Sequence, residues 1–468
     1  MPTRRDFRRL KLLVALALWT ACNSSIEGVV DDPLPDLLGP DLRPPCVNLQ
    51  CKIEQCPGST EGTTVTGVVN IPAGNLPLYG ATVYIPNARL QPIQSGASCD
   101  RCDQVSSGEP VVTATTDAAG RFRLTRAPSG DNIPLVVRLG KWRRRVVLPR
   151  INPCTENHVA LEDTRLPRSQ QEGDLPRIAL VTGEYDAIEC LLRKIGIAET
   201  EFTPETGPGR INLFAGHGGT SAYRARYNGG ASFTRAADTP GMSDGWWSRL
   251  DNLKRYDSII LSCEGTQYLA EKSPAARQAM KDYIDLGGRV FASHWQNVWI
   301  GSGPAPLPTV ATFYPQNRAI NYSSITAGLD TGFPKGDALA DWLVNFGASP
   351  MRGQITIRQA RSTVESINST IAQRFVFYDD PLRMMRTAQY FSFFAPIGKP
   401  PAQQCGRMVF TDIHVSGNDA GSPTPGLDLS GAAYPFPDGC LSQALSPQEK
   451  ALIFLLFDLT NCVQPEIG

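Results

Sequence analysis

The chain has 468 residues, of which 41% are hydrophobic, so it is long enough for two or three folded domains. Its 45 basic residues balance its 45 acidic residues, which argues against nucleic acid as a partner. Twelve cysteines are more than a cytosolic protein usually carries and favour an oxidising compartment. The composition therefore indicates an exported globular protein.

Residues 1–22 have the pattern of an export signal. Five basic residues precede a short apolar run at 12–18, which is too short to span a bilayer as a permanent helix. Small residues and Cys22 end the run, and this arrangement resembles a bacterial lipobox. The resemblance implies that Cys22 carries a lipid, that the partner is a lipid bilayer, and that the protein lies in the cell envelope. Export by the general or the twin-arginine route stays open.

Residues 23–59 form a proline-rich tether and a cysteine-rich segment, and residues 60–163 read as a small all-β domain. Short β-rich runs at 63–69, 81–85, 111–115, 121–125, 133–139 and 144–148 alternate with turn residues, which favours a β-sandwich. The sequence Thr-Asp-x-x-Gly-x-Phe at 116–122 resembles the carboxypeptidase regulatory-like (transthyretin-like) family. That resemblance implies a spacer or a binding module.

Beyond a polar linker, residues 175–463 alternate strand and helix patterns. Strands are predicted at 177–182, 210–215, 256–262, 289–293, 354–358, 375–378 and 408–412, and helices at 186–195, 274–286 and 337–346. Ser446, Pro447 and Glu449 form a capping box that starts a closing helix. The alternation predicts an α/β layer domain with a mostly parallel sheet.

Three of the four histidines fall at the ends of predicted strands, where ligands gather in open parallel sheets. His217, His294 and His414 each follow a strand, and Cys263 ends another. The sequence Gly-His-Gly-Gly at 216–219 is either an anion cradle or a plain turn. Trp295 lies beside a loop rich in glycine and proline, as sugar-binding sites often need.

The strand-end patterns at 256–265, 283–294 and 407–414 resemble class I glutamine amidotransferase-like domains, in particular those of the trehalose-utilisation (ThuA-like) branch. The family places a nucleophilic cysteine on a sharp turn, and Leu-Ser-Cys-Glu-Gly at 261–265 keeps that cysteine. The His-x-Glu pair of the family is absent at His414. The resemblance therefore implies Cys263 as nucleophile and His294 as base, with Glu264 or Asp412 orienting the ring. The whole chain resembles a group of myxobacterial envelope lipoproteins.

The cysteines favour disulfides over zinc, because few histidines are present and no second Cys-x-x-C completes a metal site. We expect neither a metal nor a cofactor. Without Cys22 an odd number remains, so at least one thiol is unpaired within the chain. Cys263 is a candidate for a free thiol, a core residue or a disulfide with Cys190, and the pairing stays open.

Two functional hypotheses follow. The first is a membrane-anchored envelope lipoprotein with a binding or structural role, whose degenerate amidotransferase-like domain recognises an envelope glycan or protein. The second is an extracytoplasmic cysteine-dependent hydrolase or amidase that uses Cys263 and His294. The sequence leaves open whether the protein is an enzyme.

Overall fold

The computed structural model of the protein describes residues 45–102, 106–416, 418–419, 422–423, 427–441 and 444–463. The predicted signal peptide, Cys22 and nearly all of the proline-rich tether lie outside these residues. Within the described ranges the protein is largely β, with several sheets and a smaller number of helices. This confirms the β-rich part of the predicted fold class.

Two small sheets occupy the region predicted as a β-sandwich. The strands are β1 (Thr64–Val68), β2 (Thr82–Pro86), β3 (Pro110–Thr115), β4 (Arg121–Leu124), β5 (Gly130–Leu139), β6 (Trp142–Ile151), β7 (Glu156–His158) and β8 (Gly173–Asp174), and a short helix α1 (Leu161–Thr164) follows β7. One sheet has the order β4-β1-β7 and the other β3-β2-β5-β6-β8. Val65 and Phe122 of the first sheet and Val83 and Val137 of the second are buried in one apolar cluster.

A large mixed sheet forms most of the remainder. Its strands are β9 (Ile178–Val181), β10 (Phe202–Thr203), β11 (Ile211–Ala215), β12 (Thr234–Arg235), β13 (Ser258–Leu261), β14 (Arg289–Ser293), β16 (Ile320–Leu329), β17 (Gln354–Ser362), β19 (Ala372–Asp380), β20 (Met385–Ala395) and β21 (Gly406–Thr411). Two smaller pairings join β15 (Ala311–Phe313) to β18 (Val364–Ile367) and β22 (Asn418–Asp419) to β23 (Ser422–Pro423).

The strand order of the large sheet is β10-β11-β9-β13-β14-β21-β20-β19-β16-β17, with β12 paired to β11. Strands from β10 to β21 in this order run parallel, and those from β21 to β17 run antiparallel. The sheet therefore has a parallel half and an antiparallel half. Strands β16 and β20 of the antiparallel half were not predicted from the sequence.

The helices of this region are α2 (Ile188–Lys194), α3 (Leu250–Leu253), α4 (Pro274–Asp285), α5 (Val298–Gly301), α6 (Pro334–Asn345) and α7 (Pro447–Thr460). Helix α7 begins at the predicted capping box: Glu449 N donates to Ser446 Oγ at 3.3 Å, and Ser446 N donates to Glu449 Oε2 at 2.7 Å. Nearly every residue of α7 is buried, as expected for a helix that is apolar on all faces. No helix of the described residues is both long and apolar enough to span a bilayer.

Helix α7 joins the small sheets to the rest of the protein. Phe457 packs on Trp142 of β6 with ring centroids 5.7 Å apart, and Phe454 stacks on Tyr79 at 5.8 Å. Trp342 of α6 donates to Pro77 O at 2.9 Å. From Cys46 onward the described residues belong to one compact unit, so the segments 60–163 and 175–463 share an apolar core.

Five disulfides cross-link the described residues, which confirms that the cysteines serve mainly as disulfides. The pairs are Cys46–Cys51, Cys56–Cys154, Cys99–Cys405, Cys102–Cys462 and Cys190–Cys440. Cys190 is therefore unavailable to Cys263, which is a free, buried thiol. Cys99–Cys405 and Cys102–Cys462 link the small-sheet region to the C-terminal part of the large sheet and to the end of α7.

Candidate functional site

Three neighbouring parallel strands carry the candidate residues at their carboxyl ends. Cys263 follows β13, His294 follows β14 and His414 follows β21, and these strands are adjacent in the sheet. The register pairs Leu261 with Ala292 and Ser293 with Thr411, so the three strand ends are nearly level. Parallel strands present their carboxyl ends at one edge, and the sheet thus brings the three side chains together.

The three side chains form a tight buried cluster. Cys263 Sγ lies 3.3 Å from His294 Nδ1, and the rings of His294 and His414 meet edge to face with centroids 5.0 Å apart. One ligand atom from each residue lies within 4.8 Å of the other two. All three residues are at most 3% exposed. We call Cys263, His294 and His414 the Cys–His–His cluster.

The backbone at this edge differs from the sharp cysteine turn of amidotransferases. The left-handed residue directly after a strand is His294, with a φ of 46°, and a short helix runs on from it over His294–Asn297. Cys263 leads instead into a turn, with Gly265 at a φ of 87°. The thiol therefore lacks the helix N-terminus that lowers the pKa of amidotransferase-type cysteines.

Burial opposes charge on each of the three side chains of the cluster. It raises the pKa of the Cys263 thiol to about 12, although backbone N–H groups of Trp295 and Gly265 point at the sulfur and oppose the rise. Burial likewise lowers the pKa of His294 and of His414 well below the usual value for histidine. Nε2 of each ring is buried without a hydrogen-bond partner, which costs roughly 1–3 kcal/mol per atom.

Asp186 ties the two histidine segments to each other. Its carboxylate accepts a hydrogen bond from Ser293 Oγ, beside His294, and another from Val415 N at 2.9 Å, beside His414. Burial raises the pKa of Asp186 to about 7 despite these two hydrogen bonds. This carboxyl thus positions both histidines through their chain neighbours.

The antiparallel half of the sheet supplies the opposite wall of the site. Asp412 accepts hydrogen bonds from Thr363 N and Thr363 Oγ1, both at 2.8 Å, which brings the end of β17 over the end of β21. Burial raises the pKa of Asp412 to about 6. Arg361 and Asn321, paired across β17 and β16, line the site, and Arg361 donates to Gln359 O at 2.9 Å.

A cavity of about 250 Å³ opens onto the cluster. Its lining is mostly polar and combines a cation, amides and an aromatic ring; it includes Cys263, His294, His414, Arg361, Asn321 and Trp295. A larger cavity of about 610 Å³ lies between the small sheets and helices α6 and α7. The charged groups there pair with each other, since Asp458 binds Lys335 at 2.9 Å and Arg407 at 2.7 Å, so the smaller cavity is the better candidate for chemistry.

Glu264 faces away from the histidines. Its Oε2 accepts a hydrogen bond from Lys272 Nζ at 2.6 Å, and its Oε1 accepts one from His217 N at 2.8 Å. Lys272 Nζ also donates to Gln267 O at 3.0 Å. Both carboxylate oxygens are thus held in a buried ion pair, and Glu264 supports the 216–219 loop rather than a ring of the cluster.

His217 and its glycine-rich loop lie outside the cluster. The His217 side chain is 38% exposed, its Nδ1 lies 3.2 Å from Glu271 Oε1, and its ring stacks on Tyr268 with centroids 3.6 Å apart. The N–H groups of Gly216 and His217 donate to Thr182 Oγ1 and Glu264 Oε1. These two donors are occupied within the protein, which favours the turn interpretation over an anion cradle.

Trp295 lines the cavity, with its ring 4.5 Å from that of His294. The neighbouring Trp299 is buried and donates from Nε1 to Gln296 Oε1 at 2.8 Å. Trp295 therefore reaches the site, whereas Trp299 belongs to the core.

Comparison with known proteins gives little information about the function of the site. No family model matches the sequence, and no curated protein matches it either. Among solved structures, two interface mutants of a type II cohesin–X-dockerin complex from Acetivibrio cellulolyticus are similar at 15% identity. They cover 29% and 31% of this chain and 84% and 78% of theirs, with TM-scores of 0.16 and 0.15. Similarity at this level supports no conclusion about fold or function.

Sequence reasoning missed the residues that complete the site. Asp186 follows a strand that was predicted, but its role depends on contacts with Ser293 and Val415, more than a hundred residues away. Arg361 and Asn321 come from the antiparallel half, where β16 was not read as a strand. Lys272 lies eight residues after Glu264, and a Glu–Lys pair in a loop gives no local signal.

Proposed function

We propose that the chain is an extracytoplasmic hydrolase or amidase that uses Cys263 and His294. One observation carries the proposal: the single described cysteine outside the disulfides has its sulfur 3.3 Å from Nδ1 of a buried histidine, beside a cavity. The five disulfides support a site of action in an oxidising compartment.

The proposed reaction is acyl transfer through sulfur. His294 Nδ1 accepts the thiol proton while Cys263 Sγ forms a bond to the carbonyl carbon of an amide or ester. The bond from that carbon to the leaving amine or alcohol breaks, and His294 returns the proton to the leaving group. Water then hydrolyses the thioester and restores the thiol. This role requires the tautomer of His294 that carries its proton on Nε2.

Burial sets how the proton must move. With the pKa of the thiol at about 12 and that of His294 well below its usual value, the neutral pair is favoured over a thiolate–imidazolium pair. Proton transfer therefore accompanies sulfur attack instead of preceding it. The N–H groups of Gly265 and Trp295 favour the negative charge that develops on sulfur.

The test is acylation of the purified full-length chain by an activated ester such as p-nitrophenyl acetate, followed by peptide mass spectrometry. We expect an acyl group on Cys263, none in Cys263→Ala, and acylation slowed roughly 10²- to 10⁴-fold in His294→Gln. His158→Gln is the matched control, because His158 is exposed on β7. An unchanged rate in His294→Gln contradicts the proposal.

A binding or structural role is the second candidate, and the burial of the sulfur favours it. Cys263 is 0% exposed and the cluster is neutral, which suits a rigid core better than a reactive thiol. In this role the cavity, with Trp295 and Asn321 in its wall, recognises an envelope glycan or protein. Retention of the protein on isolated cell-wall glycan, lost in Trp295→Ala, together with no acylation of Cys263, would establish this role instead.

Anchoring through Cys22 is proposed from the sequence alone, since Cys22 lies outside the described residues. A lipid on Cys22 places the folded part at the envelope, beyond the tether. Detergent phase partition of the expressed protein tests this: we expect the wild-type chain in the detergent phase and Cys22→Ala in the aqueous phase. Equal partition of both chains contradicts the anchor.

We also propose that the parallel half of the large sheet is amidotransferase-like and that the small sheets are regulatory-like. The placement of Cys263, His294 and His414 after three adjacent parallel strands supports the first assignment. The Asp117 turn, which connects β3 of one small sheet to β4 of the other, supports the second: Asp117 Oδ1 accepts hydrogen bonds from Ala119 N and Arg121 N.

A further inference from the structure

We infer that the Cys–His–His cluster binds a zinc ion, held by Cys263 Sγ and one ring nitrogen each of His294 and His414. The inference uses the cavity of the proposed function and adds a regulator to it. Cys263 Sγ and His294 Nδ1 lie 3.3 Å apart. Zinc–sulfur and zinc–nitrogen bonds at tetrahedral angles place two such atoms about 3.6 Å apart, close to the observed separation.

His414 completes the set with a small movement. Its ligand atom lies within 4.8 Å of the other two, whereas nitrogen atoms on one tetrahedral zinc are about 3.3 Å apart. A shift of the ring by roughly 1–1.5 Å closes that gap. The ring of His414 already faces that of His294 edge to face.

The chemistry of the cluster matches a cation that prefers sulfur and nitrogen. Nε2 of His414 is buried without a hydrogen-bond partner and can serve as a ligand atom, while His294 offers Nδ1, which lies 3.3 Å from the sulfur. A buried thiol stays protonated without a metal, but coordination deprotonates it outright. The thiolate cancels one of the two charges of the ion, which reduces the cost of burying it.

The surroundings hold the ligands in place. Asp186 binds Ser293 and Val415, and so fixes the segments that carry both histidines. Both contacts are to chain neighbours of the histidines, so Asp186 positions the rings through the backbone. Arg361 adds a positive charge to the cavity, which opposes the ion. The same charge favours the thiolate form of Cys263, whereas Asp186 disfavours it.

Three protein ligands leave the fourth zinc position open toward the cavity of about 250 Å³. An open position is typical of zinc sites that exchange ligands, and closed four-ligand sets are typical of structural zinc. While zinc is bound, the sulfur electron pair is committed to the metal. Zinc loading and acylation of Cys263 therefore exclude each other, and the ion acts as a reversible block of the thiol route.

The first test is spectroscopic and needs no substrate. The chelator-treated full-length protein is titrated with Co²⁺, which takes the geometry of zinc and is coloured. We expect one equivalent to produce a thiolate-to-cobalt charge-transfer band and the intense visible bands of a tetrahedral site, both removed by Zn²⁺. A cobalt spectrum without a thiolate band overturns the inference, whatever the enzymatic activity.

Substitutions of the proposed ligands test where the zinc ion binds. We expect Zn²⁺ affinity, measured by calorimetry, to fall at least tenfold in Cys263→Ser and in His414→Gln and to be unchanged in His158→Gln. Near-UV circular dichroism of each apo variant verifies that it folds. Unchanged zinc affinity in both folded cluster variants overturns the inference.

The outcomes separate this inference from the proposed function. Acylation of Cys263 without a cobalt–thiolate band leaves the hydrolase and removes the zinc site. A cobalt–thiolate band without acylation in the metal-free protein leaves the zinc site and removes the thiol hydrolase. With both correct, we expect one equivalent of Zn²⁺ to stop acylation and a chelator to restore it.

Discussion

Cys263 and Glu264 are neighbours in the chain, and both are fully buried, yet their side chains enter opposite kinds of environment. Glu264 meets Lys272 at 2.6 Å in an ion pair whose remaining atoms find backbone partners. Cys263 meets His294 and His414 in the neutral Cys–His–His cluster, where two ring nitrogens have no partner. Both oxygens of Glu264 thus have partners within the protein, whereas Nε2 of each histidine in the cluster has none among the described residues.

The largest expected effect comes from breaking the ion pair. Lys272→Met removes the partner of a buried carboxylate, and we expect the free energy of unfolding to fall by about 3–5 kcal/mol. Denaturant unfolding with the disulfides intact measures it. The control is Lys281→Met, which breaks the partly exposed Lys281–Asp285 pair on α4 and should cost about 0.5 kcal/mol. If both variants lost the same free energy of unfolding, the buried Glu264–Lys272 pair would matter no more than a partly exposed pair.

The second effect concerns Asp186 and the pH dependence of stability. The pKa of Asp186 rises from 3.8 to about 7 on folding, so its contribution is complete below about pH 4 and is lost as the pH rises toward 7. We expect wild-type stability, relative to Asp186→Asn, to fall by roughly 4 kcal/mol across that window. Unfolding free energies of both proteins at pH 4, 5, 6 and 7 measure the difference. Parallel profiles would show an ordinary pKa.

The reactivity of the Cys263 thiol tests the environment of the Cys–His–His cluster directly. A thiol pKa of about 12, against about 8.5 for an exposed thiol, slows alkylation at pH 8.5 by roughly 30- to 60-fold once the greater nucleophilicity of the thiolate is included. Timed iodoacetamide labelling of the metal-free native protein, with the unfolded unreduced protein as reference, gives the ratio. Labelling at the unfolded rate would mean a lowered thiol pKa.

The smallest effect is expected for Cys263→Ala. The substitution leaves no charge unpaired, so the free energy of unfolding should fall by about 1 kcal/mol. The same denaturant experiment measures it on the metal-free protein. A loss as large as that of Lys272→Met would indicate that the cluster, like the ion pair, is completed inside the protein.

Strand-end reasoning found the three members of the cluster because hydrophobic runs locate buried strands and parallel strands share an edge. It also placed His217 there, since β11 belongs to the same parallel half. However, β11 lies two strands from β13 in the sheet, beyond β9, and strand order across a sheet leaves no periodic signal in the sequence. His217 therefore pairs with Glu271 outside the cluster.

The antiparallel half was the harder part to predict. Strand β16 begins with Ile-Asn-Tyr-Ser-Ser, where exposed and half-buried positions hide the alternation, and β20 is buried at most of its positions. Arg361 enters the site because Asp412 holds Thr363 over the end of β21, and that contact joins residues 49 positions apart. Tertiary contacts of this kind determine which residues line the site, and they leave no local pattern in the sequence.

The disulfide between Cys102 and Cys462 spans 360 residues and encloses almost the whole large sheet in one covalent ring. Cleavage by a protease affects such a ring differently from an open chain. A single cut at a surface loop between these cysteines opens the ring without releasing a fragment. The two new ends remain joined through sulfur, and the cavity with its cluster is retained. Two cuts between Cys190 and Cys405 are needed before the segment that carries Cys263 and His294 can leave, because no disulfide holds that stretch.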